Sequence, residues 1–276
     1  MILRGFESAS NGMLALIDNM DNTANNLANV NSTGYKKSSL TFKNVMDASV
    51  YNKNGELIKG QSAGSNRYLG ELSMGSETMR ITYDFTQGAL QRTGVPYDLA
   101  LQGDGFFKVQ DRDGNIAYTR NGSFTQNSQG YLTTKEGEYV LDNESQPIML
   151  FNDEMENLNA SYQILVTEQG NVEAFDGRNR VPLASIGVFN FGDKDDLRAA
   201  GFARFVPGNP EQNPEMATPP AKFTIQQGML EMSNSNVIRE MLNTIQTSRN
   251  YESLSKVITE NSTLLDSAIS VSRIKG

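Results

Sequence analysis

Four aspartates in the middle of the chain have the side chain that acid/base catalysis needs: Asp98, Asp104, Asp111 and Asp113. Two facing carboxylates can cleave a glycosidic bond, one as the acid and the other as base or nucleophile. Each of these aspartates, however, lies in or beside a predicted turn, where acidic side chains bond to the local backbone. We therefore predict turn roles for them, and a carboxylate-based glycan hydrolase is the alternative from another functional class.

The same stretch contains two fragments of ligand-binding motifs that fail on spacing. In "DRDGN" the glycine precedes Asn115, and the twelfth position is Gly122 where a calcium loop requires glutamate. In "GDGFFK" the third glycine position is Lys108, and a strand follows where a phosphate loop has a helix. The chain has no His and no Cys, which excludes Ser-His-Asp and Cys-His catalysis. We expect no enzyme activity, no metal and no cofactor.

Composition narrows the class of protein further. The formal net charge is −8, which argues against nucleic-acid binding because that function needs a basic face. No run of 18 apolar residues occurs, so we predict no membrane insertion. The first residues lack a long apolar stretch and a small-residue cleavage site, so we also expect no cleavable signal peptide.

Two heptad series in the first thirty residues predict an amphipathic helix. One series is Phe6, Met13, Met20 and Leu27, and the other is Ala9, Leu16, Thr23 and Val30. Such a pattern over about four heptads is typical of a coiled-coil seam, and an ordinary core-packed helix is the alternative. We expect the helix to end near Asn31, because "NSTG" is turn-forming and Gly34 can adopt the positive φ that ends helices.

The end of the chain predicts a second and longer helix. Neither Gly nor Pro occurs from Ser233 to Ile274, which at about 1.5 Å per residue gives roughly 60 Å of helix. Residues 233–236 offer cap side chains for its first turn. A heptad series again favours a coiled coil; it consists of Val237, Thr244, Tyr251, Ile258 and Leu265.

Short alternating segments separated by turns occupy the region between the helices. "YDLAL", "FFKV", "IAYTR", "SFTQ", "YLTT" and "EYVL" follow one another with Gly, Asn or Asp between them. Runs of this length with a turn about every ten residues predict antiparallel strands, and Asn-Gly and Asp-Gly are strong hairpin signals. A proline-rich loop, "PGNPEQNPEMATPP", comes near the end of this region, and we expect it to be ordered by packing or not at all.

Together these patterns predict the α+β class with a discontinuous helical domain. We expect residues 1–33 and 233–276 to form that domain, with the two helices pairing like a coiled coil because they share a heptad pattern. Residues 34–82 are predicted as an irregular linker or extended segment. Residues 83–232 are predicted as a central, mostly antiparallel β domain.

Three long motifs resemble one family. "NNLANVNSTGYKK" closely resembles the N-terminal signature of bacterial flagellar rod and hook proteins, the axial family of the basal body. "DLALQGDGFFKV" and "YTRNGSFTQNSQGYLTTKEGEYVL" look like its central β region, and "GMLEMSNSNVIREMLNTIQTSRNYESLSKVI" looks like its C-terminal segment. Length and central motifs are most similar to rod subunits of the distal type and next to the proximal type. A hook-type subunit would carry a larger central insertion.

The resemblance implies a structural subunit of the basal-body rod. It implies self-assembly into a helical tube that spans the periplasm and transmits torque from motor to hook, with the helical domain as the inner tube and the β domain outside. It also implies export by the flagellar type III apparatus and contacts with other rod and hook proteins. The hydrolase alternative would act on the glycans of the periplasm.

Both helices would then contribute to subunit interfaces. Four asparagines spaced three, four and three apart lie on one helical face away from the Phe6 series: Asn19, Asn22, Asn26 and Asn29. We predict that they bond across subunits and fix the register, with plain solvation as the alternative. The full set of predicted interface residues is Phe6, Met13, Leu16, Met20, Asn22, Asn26, Leu27, Asn29, Val237, Met241, Thr244, Arg249, Tyr251, Ile258 and Leu265.

Overall fold

Long helices occupy both ends of the chain, as predicted. The computed structural model describes residues 2–46, 73–150, 162–209, 214–217 and 223–274. Helix α1 spans Ile2–Ala28 and helix α2 spans Val237–Ile274. Gly34 has a φ of 68°, which confirms the turn predicted after the first helix. Within the described residues, neither helix is both long and apolar enough to cross a membrane.

Strands fill the region between the helices, which confirms the α+β class. Their bounds are β1 Ser38–Met46, β2 Ser73–Tyr83, β3 Leu90–Arg92, β4 Leu99–Gly103, β5 Phe106–Gln110, β6 Ile116–Thr119, β7 Phe124–Gln126, β8 Leu132–Thr134, β9 Tyr139–Val140, β10 Gln163–Val166, β11 Asn171–Phe175, β12 Arg180–Ser185, β13 Val188–Asn190, β14 Leu197–Ala199, β15 Arg204–Pro207, β16 Glu215–Met216, β17 Phe223–Gln227 and β18 Met229–Glu231.

The chain forms two compact units, and each is discontinuous in sequence. The helical unit comprises Met1–Leu27, Ser38–Thr82 and Val237–Gly276, whereas the β unit comprises Ala28–Lys37 and Tyr83–Asn236. In the helical unit β1 pairs with β2. The described strand pairs of the β unit are antiparallel.

The largest sheet of the β unit has the strand order β14-β15-β6-β5-β9-β8-β7, and β13 joins it beside β5. The main core contains Phe107, Val109 and Leu150, which are fully buried. A second, aromatic cluster includes Phe106, Phe191 and Phe205. Strand β4 pairs with β17, and β3 pairs with β18. These last pairs bring the segment before α2 into the β unit.

The hairpin interpretation of "DRDGN" is confirmed. Asp111 N donates to Asn115 O at 2.9 Å, and Gly114 N donates to Asp111 O at 3.0 Å. Gly114 has a φ of 86°, which glycine adopts without strain. The motif is therefore the turn between β5 and β6.

The boundaries of the two units differ from the predicted domains. The predicted linker, residues 34–82, divides between the units: 34–37 belong with the β unit, and Ser38–Thr82 with the helical unit. Two stretches of this linker are strands, Ser38–Met46 and most of Ser73–Tyr83. Residues 28–33, predicted in the helical domain, also belong with the β unit. The reason is a set of long-range hydrogen bonds described below, which sequence spacing does not reveal. The remainder of that linker, residues 47–72, and parts of the proline-rich loop, 210–213 and 218–222, lie outside the described residues.

Candidate functional site: an ion-pair clasp and exposed helix faces

The asparagines of α1 bind the start of β1 within the helical unit. Asn22 Nδ2 and Asn26 Nδ2 donate to Ser38 O at 3.0 Å and 2.8 Å. Ser38 N donates to Asn26 Oδ1 at 2.9 Å, and Ser38 Oγ donates to Asn22 Oδ1 at 2.6 Å. Asn26 is only 1% exposed. These two amides therefore hold β1 against the helix inside one chain; the contact across subunits that we predicted for them stays a prediction.

Contacts between α1 and α2 run in antiparallel order. Asn19 Nδ2 donates to Thr247 Oγ1 at 3.3 Å. A second contact joins Gly12, which is seven residues before Asn19, to Leu254, which is seven residues after Thr247. A Cβ added to Gly12 would lie 3.4 Å from Leu254 Cδ1. As one residue number falls the other rises, so the two helices run antiparallel where they touch.

The buried face of α1 differs from the predicted seam in one of its two series. Ala9 and Thr23 of the second series are buried, whereas Phe6 of the first series is 38% exposed. Met13 and Met20 are half-buried. Small and amide side chains thus form the contact face of α1, and larger apolar side chains lie on its flank.

A buried ion-pair cluster joins three distant parts of the β unit. Lys36 Nζ lies 2.7 Å from Glu231 Oε1, and Arg120 Nη1 lies 3.2 Å from Glu231 Oε2. The three side chains are at most 2% exposed. We call Lys36, Arg120 and Glu231 the clasp. It links the segment after α1 with strand β18, shortly before α2.

Backbone and amide contacts extend the clasp along both segments. Gly34 N donates to Glu231 O at 2.8 Å, and Lys37 N donates to Asn234 Oδ1 at 2.8 Å. Thr33 Oγ1 donates to Asn121 Oδ1 at 2.8 Å. A Cβ on Gly34 would lie 2.3 Å from Asn121 N, so only glycine fits there. The motifs "NSTGYKK" and "LEMSN", far apart in sequence, therefore meet at one place.

Burial and ion pairing act in opposite directions on the clasp. Burial lowers the pKa of Lys36 and of Arg120, and the Glu231 carboxylate raises both by a smaller amount. Lys36 Nζ also donates to Thr86 O at 2.7 Å, and Arg120 Nη2 donates to Gly103 O at 2.7 Å. These bonds replace part of the water that the buried cations have lost. The clasp thus connects the segment after α1 to the segment before α2 within the β unit.

The predicted interface residues fall into three classes of exposure. Phe6, Val237, Met241 and Arg249 are exposed; Met13, Leu16, Met20, Asn22, Leu27, Asn29, Thr244, Tyr251, Ile258 and Leu265 are half-buried; and Asn26 is buried. Asn29 Oδ1 accepts a hydrogen bond from Ser32 Oγ at 3.1 Å. Asn29 thus takes part in the turn that follows α1.

Of four neighbouring exposed apolar side chains on α2, sequence reasoning selected only Met241. Ile238, Met241, Leu242 and Ile245 are 70%, 50%, 60% and 52% exposed. We call these four residues the α2 stripe. Their spacing of i, i+3, i+4 and i+7 places them on one helical face. The predicted heptad series of α2, which begins at Val237, lies on a different face.

Two of the aspartates considered for catalysis make side-chain hydrogen bonds within the chain. Asp104 Oδ1 accepts a hydrogen bond from Lys194 Nζ at 2.7 Å, and this bond lowers the pKa of Asp104. Asp111 Oδ1 accepts one from the backbone N of Arg112. The bond at Asp111 is the local backbone contact predicted for a turn residue. The ion pair of Asp104 instead joins two residues that are 90 positions apart in the sequence.

Comparison with known proteins places the chain in a family. Residues 100–174 match the family model described as the flagellar hook protein FlgE/F/G D1 domain, and residues 226–271 match that of the flagellar basal body rod FlgEFG protein C-terminal. The flagellar basal-body rod protein FlgG of Borreliella burgdorferi is 32% identical over 277 residues, which cover 99% of this chain and 100% of that protein. The chain belongs to the flagellar basal-body rod protein family.

Other rod proteins agree with this assignment. FlgG of Bacillus subtilis is 29% identical over 276 residues, covering 99% of this chain and 100% of that protein. FlgF of Caulobacter vibrioides is 32% identical over 259 residues, covering 91% and 90%. The clasp draws on both matched regions of the rod family, since Arg120 lies in the first and Glu231 in the second.

Proposed function

We propose that this rod-family chain is the structural subunit of the distal rod and polymerises into the helical tube that transmits torque from motor to hook. Rod proteins named FlgG, similar over nearly their whole length, support the distal type. FlgF relatives such as that of Mesorhizobium japonicum, 27% identical, keep the proximal type as the alternative. A hook-type subunit of the same family is the remaining alternative.

The α2 stripe is the observation that supports polymerisation best. Four neighbouring apolar side chains, each at least half exposed, form a surface patch of the kind that marks protein–protein contacts. Glu240 and Thr247 are buried; the in-chain contact at Thr247 therefore leaves the stripe uncovered. In a tube, other copies of the chain would cover it.

A second exposed apolar face lies on α1. Leu14 is 59% exposed and Ile17 is 40% exposed. Two different apolar faces on one unit allow a heterologous contact, in which each copy uses one face toward each neighbour and growth continues as a helix. We propose that the helical unit supplies these contacts, and that the antiparallel pairing of α1 and α2 extends as a coiled coil.

Polymerisation can be tested with a matched pair of substitutions. We expect Leu242→Glu to abolish assembly of the purified chain, because it places a charge in the centre of the α2 stripe. Asn243→Glu adds the same charge at the next residue, which is exposed outside the stripe, and should assemble normally. Sedimentation and electron microscopy measure assembly, and circular dichroism checks the fold. Equal assembly of both variants would contradict the proposal.

We further propose that the flagellar type III apparatus exports the chain and that it contacts other rod and hook proteins in the periplasm. The relatives are named flagellar basal-body rod proteins, which supports a place in the rod. Cryo-electron microscopy of isolated basal bodies containing a tagged chain tests it. Density for the tag in the distal rod is expected, and density in the proximal rod or hook would reassign the subtype.

A further inference from the structure

The hairpin between β14 and β15 carries three consecutive residues with positive φ. The angles are 78° at Gly201, 49° at Phe202 and 56° at Ala203. In this left-handed region Cβ crowds the backbone, so a residue with a side chain costs free energy that glycine does not. For a bulky residue such as Phe this conformation is a genuine outlier. The chain therefore holds strain at two adjacent positions.

Another strained residue of the β unit has an evident local explanation. Ser145 has a φ of 66°, and its Oγ lies 2.6 Å from Lys108 Nζ, which donates a hydrogen bond to it. Phe202 gains no comparable burial, since its side chain is 70% exposed. Packing within the chain does not account for a phenylalanine here.

Arg204 holds the strained tip from one side. Its Nη2 donates to Ala200 O at 3.0 Å, and its Nε donates to Gly201 O at 3.2 Å. Its guanidinium lies over the Phe202 ring, 5.3 Å from the ring centroid, at cation–π distance. Arg204 Nη1 also pairs with the carboxylate of Glu138, which is buried. The charge of Arg204 is thus balanced, and what the tip presents outward is the aromatic ring.

Thr119 holds the tip from the neighbouring strand. Its Oγ1 donates to Ala203 O at 2.9 Å, and β15 pairs with β6 next to it. The exposed ring of Phe202 is therefore mounted on a backbone fixed from two sides. A pre-organised aromatic side chain loses little conformational entropy when it becomes buried against a partner.

We infer that Phe202 is an interaction anchor that inserts into an apolar surface of a second copy of this chain. Backbone strain of this kind persists where it serves a function. Aromatic residues, including Phe, and arginine are enriched at protein–protein interfaces relative to the rest of the surface. The choice of a second copy rests on the proposed function, because the neighbours of a subunit in a homopolymer are copies of itself. The contact adds the β unit to the surfaces that join subunits.

Two substitutions in the same hairpin separate the anchor role from a structural one. Phe202→Gly relieves strain and removes the ring, so the Tm should rise by about 2–4 °C while the critical concentration for polymerisation rises about tenfold or more. Ala203→Gly relieves strain and keeps the ring of Phe202. It should therefore raise the Tm by a similar amount and leave the critical concentration for polymerisation unchanged. A Phe202→Gly chain that polymerises like the wild type, or that has a lower Tm, would overturn the inference.

A photo-crosslinker identifies the partner directly. Benzoylphenylalanine has nearly the shape of Phe, and at position 202 it should crosslink two copies when the chain has polymerised and not when it is dilute and monomeric. Polymers that form normally without a crosslink between copies would overturn the anchor. Failure of the wild-type chain to polymerise would instead contradict the proposed function, and with it the choice of partner.

Discussion

The Glu231 carboxylate is the residue on which the clasp depends most. It accepts bonds from Lys36, Arg120 and the backbone N of Gly88, the last at 2.9 Å. Two buried cations share this single carboxylate as their ion-pair partner among the described residues. A buried pair adds little net stability when intact, but the loss of one partner leaves an uncompensated charge in the interior. The cost of single changes should therefore be large.

Glu231→Gln keeps the side-chain shape and removes the negative charge. We expect the free energy of unfolding to fall by about 3–5 kcal/mol, because both cations stay buried without a counter-charge. Urea unfolding measured by tyrosine fluorescence suits a chain with 10 Tyr and no Trp. Arg180→Gln removes one partner of an ion pair whose Arg side chain is 62% exposed, and should cost less than about 1 kcal/mol. Equal losses in both variants would contradict the role of burial.

Gly34 and Gly94 allow conformational strain to be separated from steric exclusion. Their φ angles are 68° and 73°, so substitution by Ala costs about 1–2 kcal/mol of backbone strain at each. At Gly94 nothing lies within 4 Å of the added Cβ, whereas at Gly34 the backbone of Asn121 does. Gly34→Ala should therefore lower the free energy of unfolding by clearly more than Gly94→Ala does. Similar values in urea unfolding would show that the clasp backbone can yield.

The contact between helix α1 and strand β1 explains why asparagines lie on the contact face of the helix. An amide both donates and accepts, so Asn26 can bond to the N and O of one residue, Ser38, at the start of β1. An apolar side chain at position 26 would remove the acceptor of the Ser38 N–H, and Ser38 O would keep only the bond from Asn22. The amides thus attach the first residue of β1 to α1.

Asn26→Ala should release β1 from α1. Two bonds to backbone are lost at a buried site, so we expect a loss of about 1–3 kcal/mol and faster hydrogen exchange in Ser38–Met46. Asn31→Ala, at an exposed position after α1, serves as the control. Unchanged exchange in β1 would refute the attachment and favour the contact across subunits that the spacing of the asparagines first indicated.

The features of these elements that could be predicted from the sequence are those that depend on adjacent residues. The Gly114 hairpin and the stop at Gly34 were predictable because turn chemistry depends on a few adjacent residues. For α1, the burial of Ala9 and Thr23 agreed with one predicted heptad series, but the exposure of Phe6 in the other series was not predictable, because the buried face depends on β1 and α2. The left-handed tip at Phe202 had no sequence signal, since glycine is expected at such positions.

At the scale of the molecule, both units are completed only when the two ends of the chain meet. Lys36 and Glu231 are 195 residues apart in sequence, and Asn19 and Thr247 are 228 apart. Glu231 is one of 32 acidic residues, and nothing in the sequence indicates that it pairs with Lys36 and Arg120. The clasp was therefore beyond prediction, although the motifs that contain it were recognised by resemblance.

The same arrangement predicts that a cut chain stays together. A site-specific protease sequence inserted between Met46 and Ser73, and then cleaved, leaves one piece with α1, the segment Ala28–Lys37 and β1, and a second piece with the remaining described elements. We expect the pieces to co-elute on native size-exclusion chromatography, because Lys36, Gly34 and Asn19 of the first piece bind Glu231 and Thr247 of the second. The cut Glu231→Gln chain should separate at a lower urea concentration than the cut wild type. Separation of the wild-type pieces in buffer would show that chain continuity, and not the clasp, holds the two ends together.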